Sequence, residues 1–140
     1  MLGALVAAEV ALTRAWADVG IAPRVVADDV STALGWQGPG EVCALHDVPV
    51  EQLAADAVAG GNPVISLVGV LRERVSGDSR VWVHRGATSQ DVLDSALMLL
   101  AHRSASLTVS QLRTAAASLE TFAAEHRDAV AAARTLTQHA

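Results

Sequence analysis

One short stretch of the sequence gathers the side chains best suited to chemistry on an anion. It contains an imidazole, a glycine, two hydroxyls, an amide and a carboxylate: His84, Gly86, Thr88, Ser89, Gln90 and Asp91. Hydroxyl and amide groups at the start of a helix, together with unpaired backbone N–H groups, favour a bound negative charge. The stretch therefore predicts a binding site for a substrate carboxylate.

His84 has two interpretations. An isolated histidine is most often a structural residue or one in a loop. Here Gly86 permits a tight backbone turn, and a hydroxyl-rich helix start follows. We therefore predict that His84 moves a proton or donates a hydrogen bond to the substrate.

The hydroxyls also have a structural interpretation. Thr88 and Asp91 are spaced as in a capping box, with Asp in place of the usual Glu or Gln. Capping accounts for one hydroxyl and leaves Ser89 and Gln90 as candidates for binding an anion. Asp91 would repel an anion, so we predict that it caps the helix or orients His84.

A second polar group, Thr137, Gln138 and His139, lies at the other end of the chain. Considered alone, a solvated helix end explains it. No two histidines are spaced i, i+4 with a third ligand nearby, so we predict no metal site. The single cysteine, Cys43, favours a reducing, cytoplasmic compartment.

Composition predicts helices as the elements that position these residues. Apolar residues make up 51% of the chain and aromatic residues 3%, and alanine and leucine are strong helix formers. The net charge of −5, without a basic run, argues against nucleic acid as a partner. No apolar run reaches the roughly 18 residues of a membrane span.

Glycine and proline punctuate the chain as far as Gly86 and are absent from residues 87–140. This change predicts a long helix that opens at Thr88 and extends past residue 120. Such a helix cannot bury its own apolar face within 140 residues, so we expect partner helices. Before it, Pro23 and Asn62-Pro63 are predicted to open helices. Residues 25, 26, 30 and 34 are predicted to face inward, and residues 81–83 to be extended.

The polar stretch resembles the first signature region of the fumarase/aspartase superfamily. The similarity covers His84-x-Gly86-Ala87-Thr88-Ser89-Gln90-Asp91-x-x-Asp94. Three further segments are similar to parts of the same superfamily: Ala11-Leu12-x-Arg14-Ala15 with Gly20-Ile21-x-Pro23, Gly61-Asn62-Pro63-Val64-Ile65-x-Leu67-Val68 with Leu71-Arg72, and Arg134-Thr135-x-x-Gln138-x-Ala140.

Details within these segments are similar to the 3-carboxy-cis,cis-muconate cycloisomerase branch. They are residues 61–65 and the final Gln138-His139-Ala140. Adenylosuccinate and argininosuccinate lyases place a histidine where this chain has Leu136. An adenylosuccinate lyase-type enzyme stays the alternative, as does a non-catalytic helical oligomerisation module.

The resemblance implies an all-α homotetramer whose active sites each draw on three subunits. Residues 1–87 would form an N-terminal helical domain, and residues 88–140 the beginning of the central helical bundle. The chain would be an N-terminal fragment of about a third of such an enzyme. The serine loop that provides the catalytic base would lie beyond Ala140.

The resemblance also implies a reaction and a role for each residue. The substrate would be a di- or tricarboxylate, converted by carboxylate addition or β-elimination in the β-ketoadipate pathway of protocatechuate degradation, without a metal or redox cofactor. His139 would act as general acid or base, and His84 would bind or polarise a carboxylate. Four residues would bind substrate: Thr88, Ser89, Gln90 and Gln138.

Overall fold

The computed structural model describes residues 1–134 and 136–137, and helices form most of this part of the chain. The elements in order are α1 (Leu2–Asp18), α2 (Arg24–Ala33), α3 (Val50–Gly60), α4 (Pro63–Arg74), a 3-10 helix (Gly77–Trp82) and α5 (Ser89–Glu125). No strand occurs within the described residues. The predicted all-α class is therefore confirmed.

The chain divides into two compact units, Met1–His102 and Arg103–Ala140. Helix α5 begins in the first unit and ends in the second. The predicted domain boundary between residues 87 and 88 concerns the architecture of a larger enzyme and stays a prediction.

The first unit has a core in which α1 packs along α2, and α3 along α4. The buried face of α1 is apolar except for Glu9 and Thr13. Its apolar members are Ala4, Leu5, Val6, Ala7, Val10 and Ala17. Buried polar side chains require hydrogen-bond partners, and these two find theirs in residues 82–84.

The inward face of α2 is confirmed at three of the four predicted positions. Val26, Val30 and Leu34 lie in the core, at intervals of four residues. The prediction is wrong for Val25, whose side chain is 59% exposed. Successive helical residues are rotated by about 100°, so Val25 points away from the face that Val26 and Val30 share.

Helix α4 begins where the sequence predicts. Asn62 precedes it, and its Oδ1 accepts a hydrogen bond of 2.8 Å from the backbone N–H of Val64. The extended conformation predicted for residues 81–83 is wrong for Val81 and Trp82, which end the 3-10 helix. A three-residue apolar run has no periodicity that could distinguish a strand from a helical turn.

Helix α5 has 37 residues, which confirms the predicted extension past residue 120. Val92 and Ala96 are buried in its first turns. Large apolar side chains in the second unit are exposed: Leu107, Val109, Leu112, Leu119 and Phe122. The partner helices expected to cover such a face stay a prediction. None of the helices in residues 1–134 combines the length and apolar character of a membrane span.

Candidate active site

His84 lies in a strained backbone conformation between the 3-10 helix and α5. Its φ is 60°, in the left-handed region, which costs a residue with a Cβ of order 1–2 kcal/mol. The imidazole is 18% exposed, and its Nδ1 lies 2.7 Å from Oε1 of Glu9. Its Nε2 has no hydrogen-bond partner among the described residues. Nε2 is therefore the ring nitrogen that is available to a substrate.

Side chains from two helices hold the His84 loop, which we define as residues 82–86. The Thr13 hydroxyl of α1 donates to the carbonyl two residues before His84, at 3.2 Å. Arg72 of α4 donates to the next carbonyl from Nε and Nη2, at 3.3 and 3.0 Å. The indole Nε1 of Trp16 donates to the carbonyl of Arg85, the residue after His84, at 2.8 Å. Such contacts are what a strained conformation requires to persist.

One face of α1 supplies most of these contacts. Glu9, Thr13 and Trp16 are spaced by four and three residues, which places them on the same side of a helix. Glu9 contacts an imidazole, and the other two contact backbone carbonyls. This α1 face, residues 9, 13 and 16, therefore holds the His84 loop in position.

Glu9 is a carboxylate enclosed in the core. Its side chain is 0% exposed, and its Oε2 has no hydrogen-bond partner. Burial raises the pKa of Glu9 above its ordinary value of 4.5, while the neighbouring His84 and Arg72 act in the opposite direction. A buried carboxylate is costly to retain unless it is paired, and here the imidazole is the partner.

Gly86 is required by its surroundings as well as by its backbone. Its φ is 78°, and a Cβ added there would lie 3.0 Å from Cζ2 of Trp16. The same indole that donates to the His84 loop therefore also fills the space beside Gly86.

The first turn of α5 contains a reciprocal capping pair. The backbone N–H of Thr88 donates to Oδ2 of Asp91 at 2.7 Å, and its hydroxyl donates to the same oxygen at 2.8 Å. The N–H of Asp91 lies 3.4 Å from the Thr88 hydroxyl oxygen. These backbone and side-chain hydrogen bonds, and His84 beside them, hold the pKa of Asp91 below its ordinary 3.8. Asp91 thus accepts two hydrogen bonds from the residue that precedes α5.

The other two predicted anion-binding residues differ in their availability. The Gln90 amide donates to Oδ1 of Asp94 at 2.7 Å, one turn along the helix. The Ser89 hydroxyl makes no hydrogen bond to another described residue. Since the single hydroxyl hydrogen of Thr88 is engaged by Asp91, Ser89 is the hydroxyl at this helix start that is free to meet an anion.

The structure thus places His84, Ser89 and the capping pair within one short segment. Gln138 and His139, predicted as binding amide and acid or base, lie outside the described residues. Within those residues, no group of three or more His, Cys, Asp and Glu side chains is placed to hold a metal ion.

The sequence patterns did not indicate that Glu9, Thr13 or Arg72 belong to this site. A signal for Glu9 was present, because it interrupts the apolar face between Val6 and Val10. A charge within an otherwise apolar helix face is rarely buried without a partner. The sequence gives no indication, however, that its partner lies 75 residues away.

Comparison with known proteins identifies relatives along the whole chain. Residues 1–140 match the model of a protein family described as Lyase. The nitrosuccinate lyase of Streptomyces davaonensis is 37% identical over 142 residues, which cover 99% of this chain and 28% of that protein. The 3-carboxy-cis,cis-muconate cycloisomerase of Bradyrhizobium diazoefficiens is 33% identical over 135 residues, which cover 94% and 28%.

A solved structure shows the same fold. The crystal structure of fumarate lyase from Mesorhizobium sp. BNC1 matches with a TM-score of 0.79 and 31% sequence identity, over 99% of this chain and 30% of that one. The chain therefore spans less than a third of the length of these relatives. The family match over every residue and the shared fold confirm the resemblance predicted from the His84 segment. The chain belongs to the lyase family of the fumarase/aspartase superfamily.

Proposed function

We propose that the whole protein catalyses elimination, or the reverse addition, at a C–C bond beside a substrate carboxylate. The observation that supports this most directly is the Glu9–His84 pair immediately before a helix start with an unengaged hydroxyl at Ser89. An imidazole, a hydroxyl and helix N–H groups form a set of donors suited to a carboxylate on which charge develops.

The specific reaction that we propose is the interconversion of 3-carboxy-cis,cis-muconate and 4-carboxymuconolactone. In the closing direction, a substrate carboxylate oxygen forms a C–O bond and a proton is added to the neighbouring carbon. In the opening direction, that proton leaves from beside a carboxylate, the electron pair forms the double bond, and the ring C–O bond breaks. The intermediate is an aci-carboxylate with two negative charges, which prearranged donors would stabilise.

Each residue then has a role in the proposal. His84 contacts a substrate carboxylate through Nε2, because Nδ1 is occupied by Glu9. Ser89 and the adjacent helix N–H groups stabilise the aci-carboxylate. Thr88 and Asp91 hold this helix start in place. His139 remains our candidate acid or base, with Gln138 as a binding amide.

A second candidate is the elimination of nitrite from nitrosuccinate. It is favoured by the 37% identity to a nitrosuccinate lyase over 99% of this chain. There a proton would leave from the carbon beside a carboxylate, and the C–H electron pair would form a C–C double bond. The C–N bond would break, and its own electron pair would depart with nitrite. Both candidates expel a weakly basic anion, and a carboxylate, with a pKa of about 4, needs no proton in order to leave.

The test is turnover by the full-length protein with each substrate separately. We expect loss of the conjugated diene absorbance of 3-carboxy-cis,cis-muconate. Nitrite release from nitrosuccinate, without diene turnover, would favour the second candidate instead. Turnover of adenylosuccinate alone would overturn both, and no turnover of any of these substrates would favour the non-catalytic helical module.

The proposal includes a homotetramer located in the cytoplasm. The exposed apolar side chains of α5 beyond residue 102 support an assembly in which other helices cover them. Light scattering on the full-length protein measures the number of subunits in the assembly directly. A monomer that turns over substrate would contradict the shared active site.

A further inference from the structure

Two residues that flank His84 form a stacked pair. The guanidinium carbon Cζ of Arg85 lies 4.2 Å from the ring centroid of Trp82, which is within the range of a cation–π contact. Trp82 ends the 3-10 helix, and Arg85 follows His84 directly. The pair therefore brackets, along the chain, the imidazole that the proposed function places against a substrate carboxylate.

Helix α1 anchors both members of this pair through their backbone carbonyls. The Thr13 hydroxyl donates to the carbonyl of Trp82 at 3.2 Å, and the Trp16 indole donates to the carbonyl of Arg85 at 2.8 Å. The three-residue spacing on the helix matches the three-residue spacing in the loop. An anchored backbone and a stacked side chain reduce the conformational entropy that Arg85 would lose on binding a ligand.

The guanidinium of Arg85 has unused hydrogen-bonding capacity. Its side chain is exposed, and it makes no hydrogen bond or ion pair with any residue in the described part of the chain. A guanidinium presents its N–H donors in a planar fork that matches a carboxylate, and it can stack on an aromatic face at the same time. Arg72 differs, because its Nε and Nη2 are both engaged by the carbonyl of Val83.

The charges at the start of α5 favour a cation in this segment. Asp91 and Asp94 place two carboxylates in the first turns of the helix, close in sequence to the candidate hydroxyl of Ser89. Both candidate substrates carry at least two carboxylates, whereas the Ser89 hydroxyl and the helix N–H groups are uncharged donors. Arg85 supplies a full positive charge, which offsets the repulsion between these acidic side chains and an anionic ligand.

We propose that Arg85 binds a second carboxylate of the substrate, and that Trp82 is the platform on which its guanidinium is held. This rests on the proposed function, in which a first carboxylate lies against His84 and Ser89. Consecutive Cα atoms are about 3.8 Å apart, so the side chains of His84 and Arg85 begin close enough to contact one small ligand. Arg85 thereby favours ligands with two or more carboxylates over ligands with one.

Binding of two four-carbon acids to the full-length protein tests this role. Succinate and butyrate have the same chain length and differ by one carboxylate, and neither carries a leaving group. We expect succinate to bind more tightly than butyrate. Arg85→Met should weaken succinate about ten- to a hundredfold, the scale for a lost hydrogen bond to a charged group, and leave butyrate nearly unchanged. Calorimetric titration measures both affinities.

Three further variants separate the charge, the fork and the platform. Arg85→Lys keeps the charge without the fork and should recover part of the succinate affinity. Trp82→Leu removes the ring and should weaken succinate about two- to fivefold. Arg24→Met is the control, because this exposed arginine begins α2 and its loss changes the net charge equally. Its affinities should match those of the unsubstituted protein.

Several results would overturn the role of Arg85. One is equal affinity of the unsubstituted protein for succinate and butyrate. Another is an Arg85→Met variant that keeps the original preference for succinate. A third is an Arg85→Met variant that weakens both acids by the same factor, which is the result expected if the stacked pair only supports the fold of the loop.

Turnover separates failure of this role from failure of the proposed function. With a converted substrate, Arg85→Met should raise KM about tenfold or more with a smaller change in kcat, the pattern for binding lost equally from ground and transition states. An unchanged KM would overturn the role of Arg85 and leave the proposed function intact. A succinate preference that depends on Arg85, without turnover of any candidate substrate, would overturn the proposed function and support the carboxylate-binding role.

Discussion

The two halves of the candidate site are held together in different ways. The His84 loop is fixed by side chains from α1 and α4, at sequence separations of 11 to 75 residues. The start of α5 is fixed by bonds between residues three or four positions apart. The first half depends on the fold of the whole unit, whereas the second can form within one helical turn.

The two halves therefore differ in what they require from the rest of the fold. The His84 loop maintains a strained residue and an enclosed carboxylate, so it requires a rigid template. The helix start presents a hydroxyl and N–H groups, which any well-capped helix offers. Substitutions in the first half should therefore affect both stability and activity. Those in the second half should change either activity or stability, but not both.

Ser89→Ala should produce the largest effect, and it should be confined to activity. We expect turnover to fall at least about a hundredfold, or about 2.7 kcal/mol in barrier, the scale for loss of one donor to a developing negative charge. Ser95→Ala is the matched control, because Ser95 lies on the same helix and donates only to the backbone of Asp91. Steady-state kinetics on the full-length protein make the comparison, and near-normal turnover by Ser89→Ala would remove Ser89 from the site.

Gly86→Ala should be the most damaging change to stability. The alanine would have a positive φ, and its Cβ would lie 3.0 Å from the Trp16 ring. We therefore expect the free energy of unfolding to fall by about 2–4 kcal/mol. Gly77→Ala also has a positive φ, of 60°, but no atom within 4 Å, and should cost about 1–2 kcal/mol. Chemical denaturation measures both, and equal losses would show that the Trp16 contact has no effect.

Thr13→Val removes one anchor of the His84 loop while almost preserving shape. The carbonyl of Trp82 then loses its donor, which should lower the free energy of unfolding by about 1–2 kcal/mol. Thr108→Val in α5 is the control, since its hydroxyl bonds only to the exposed backbone of Ser104. Its effect should stay within about 0.5 kcal/mol. A similar loss in both variants would mean that the long-range bond contributes nothing.

Asp91→Asn should have the smallest effect and a distinctive pH dependence. Because the folded protein holds the pKa of Asp91 below 3.8, the carboxylate stabilises the fold at pH values above 3.8. That contribution is lost as the pH falls through the lowered pKa. Thermal unfolding should therefore show a difference between the variant and the original at pH 7 that disappears at acid pH. A difference that grows on acidification would contradict the assignment.

The sequence was sufficient for the parts of this site that form locally. The Thr88–Asp91 cap and the long α5 depend on spacing within a helix and on the absence of glycine and proline. The contact of Glu9 with His84 depends on how α1 packs, which periodicity does not encode. The wrong assignment of Val81 and Trp82 has a similar origin, because so short an apolar run takes its conformation from its surroundings.

Trp16 gives the site a built-in optical reporter. Its indole N–H is bonded to the His84 loop, and its ring lies against Gly86. Indole emission shifts with hydrogen bonding and local polarity. An anion that binds beside His84 would therefore change the emission wavelength and quantum yield of Trp16. The chain has three tryptophans. Replacing Trp36 and Trp82 with phenylalanine would leave Trp16, on the α1 face, as the source of the tryptophan emission. Occupancy could then be followed in real time, without label or turnover.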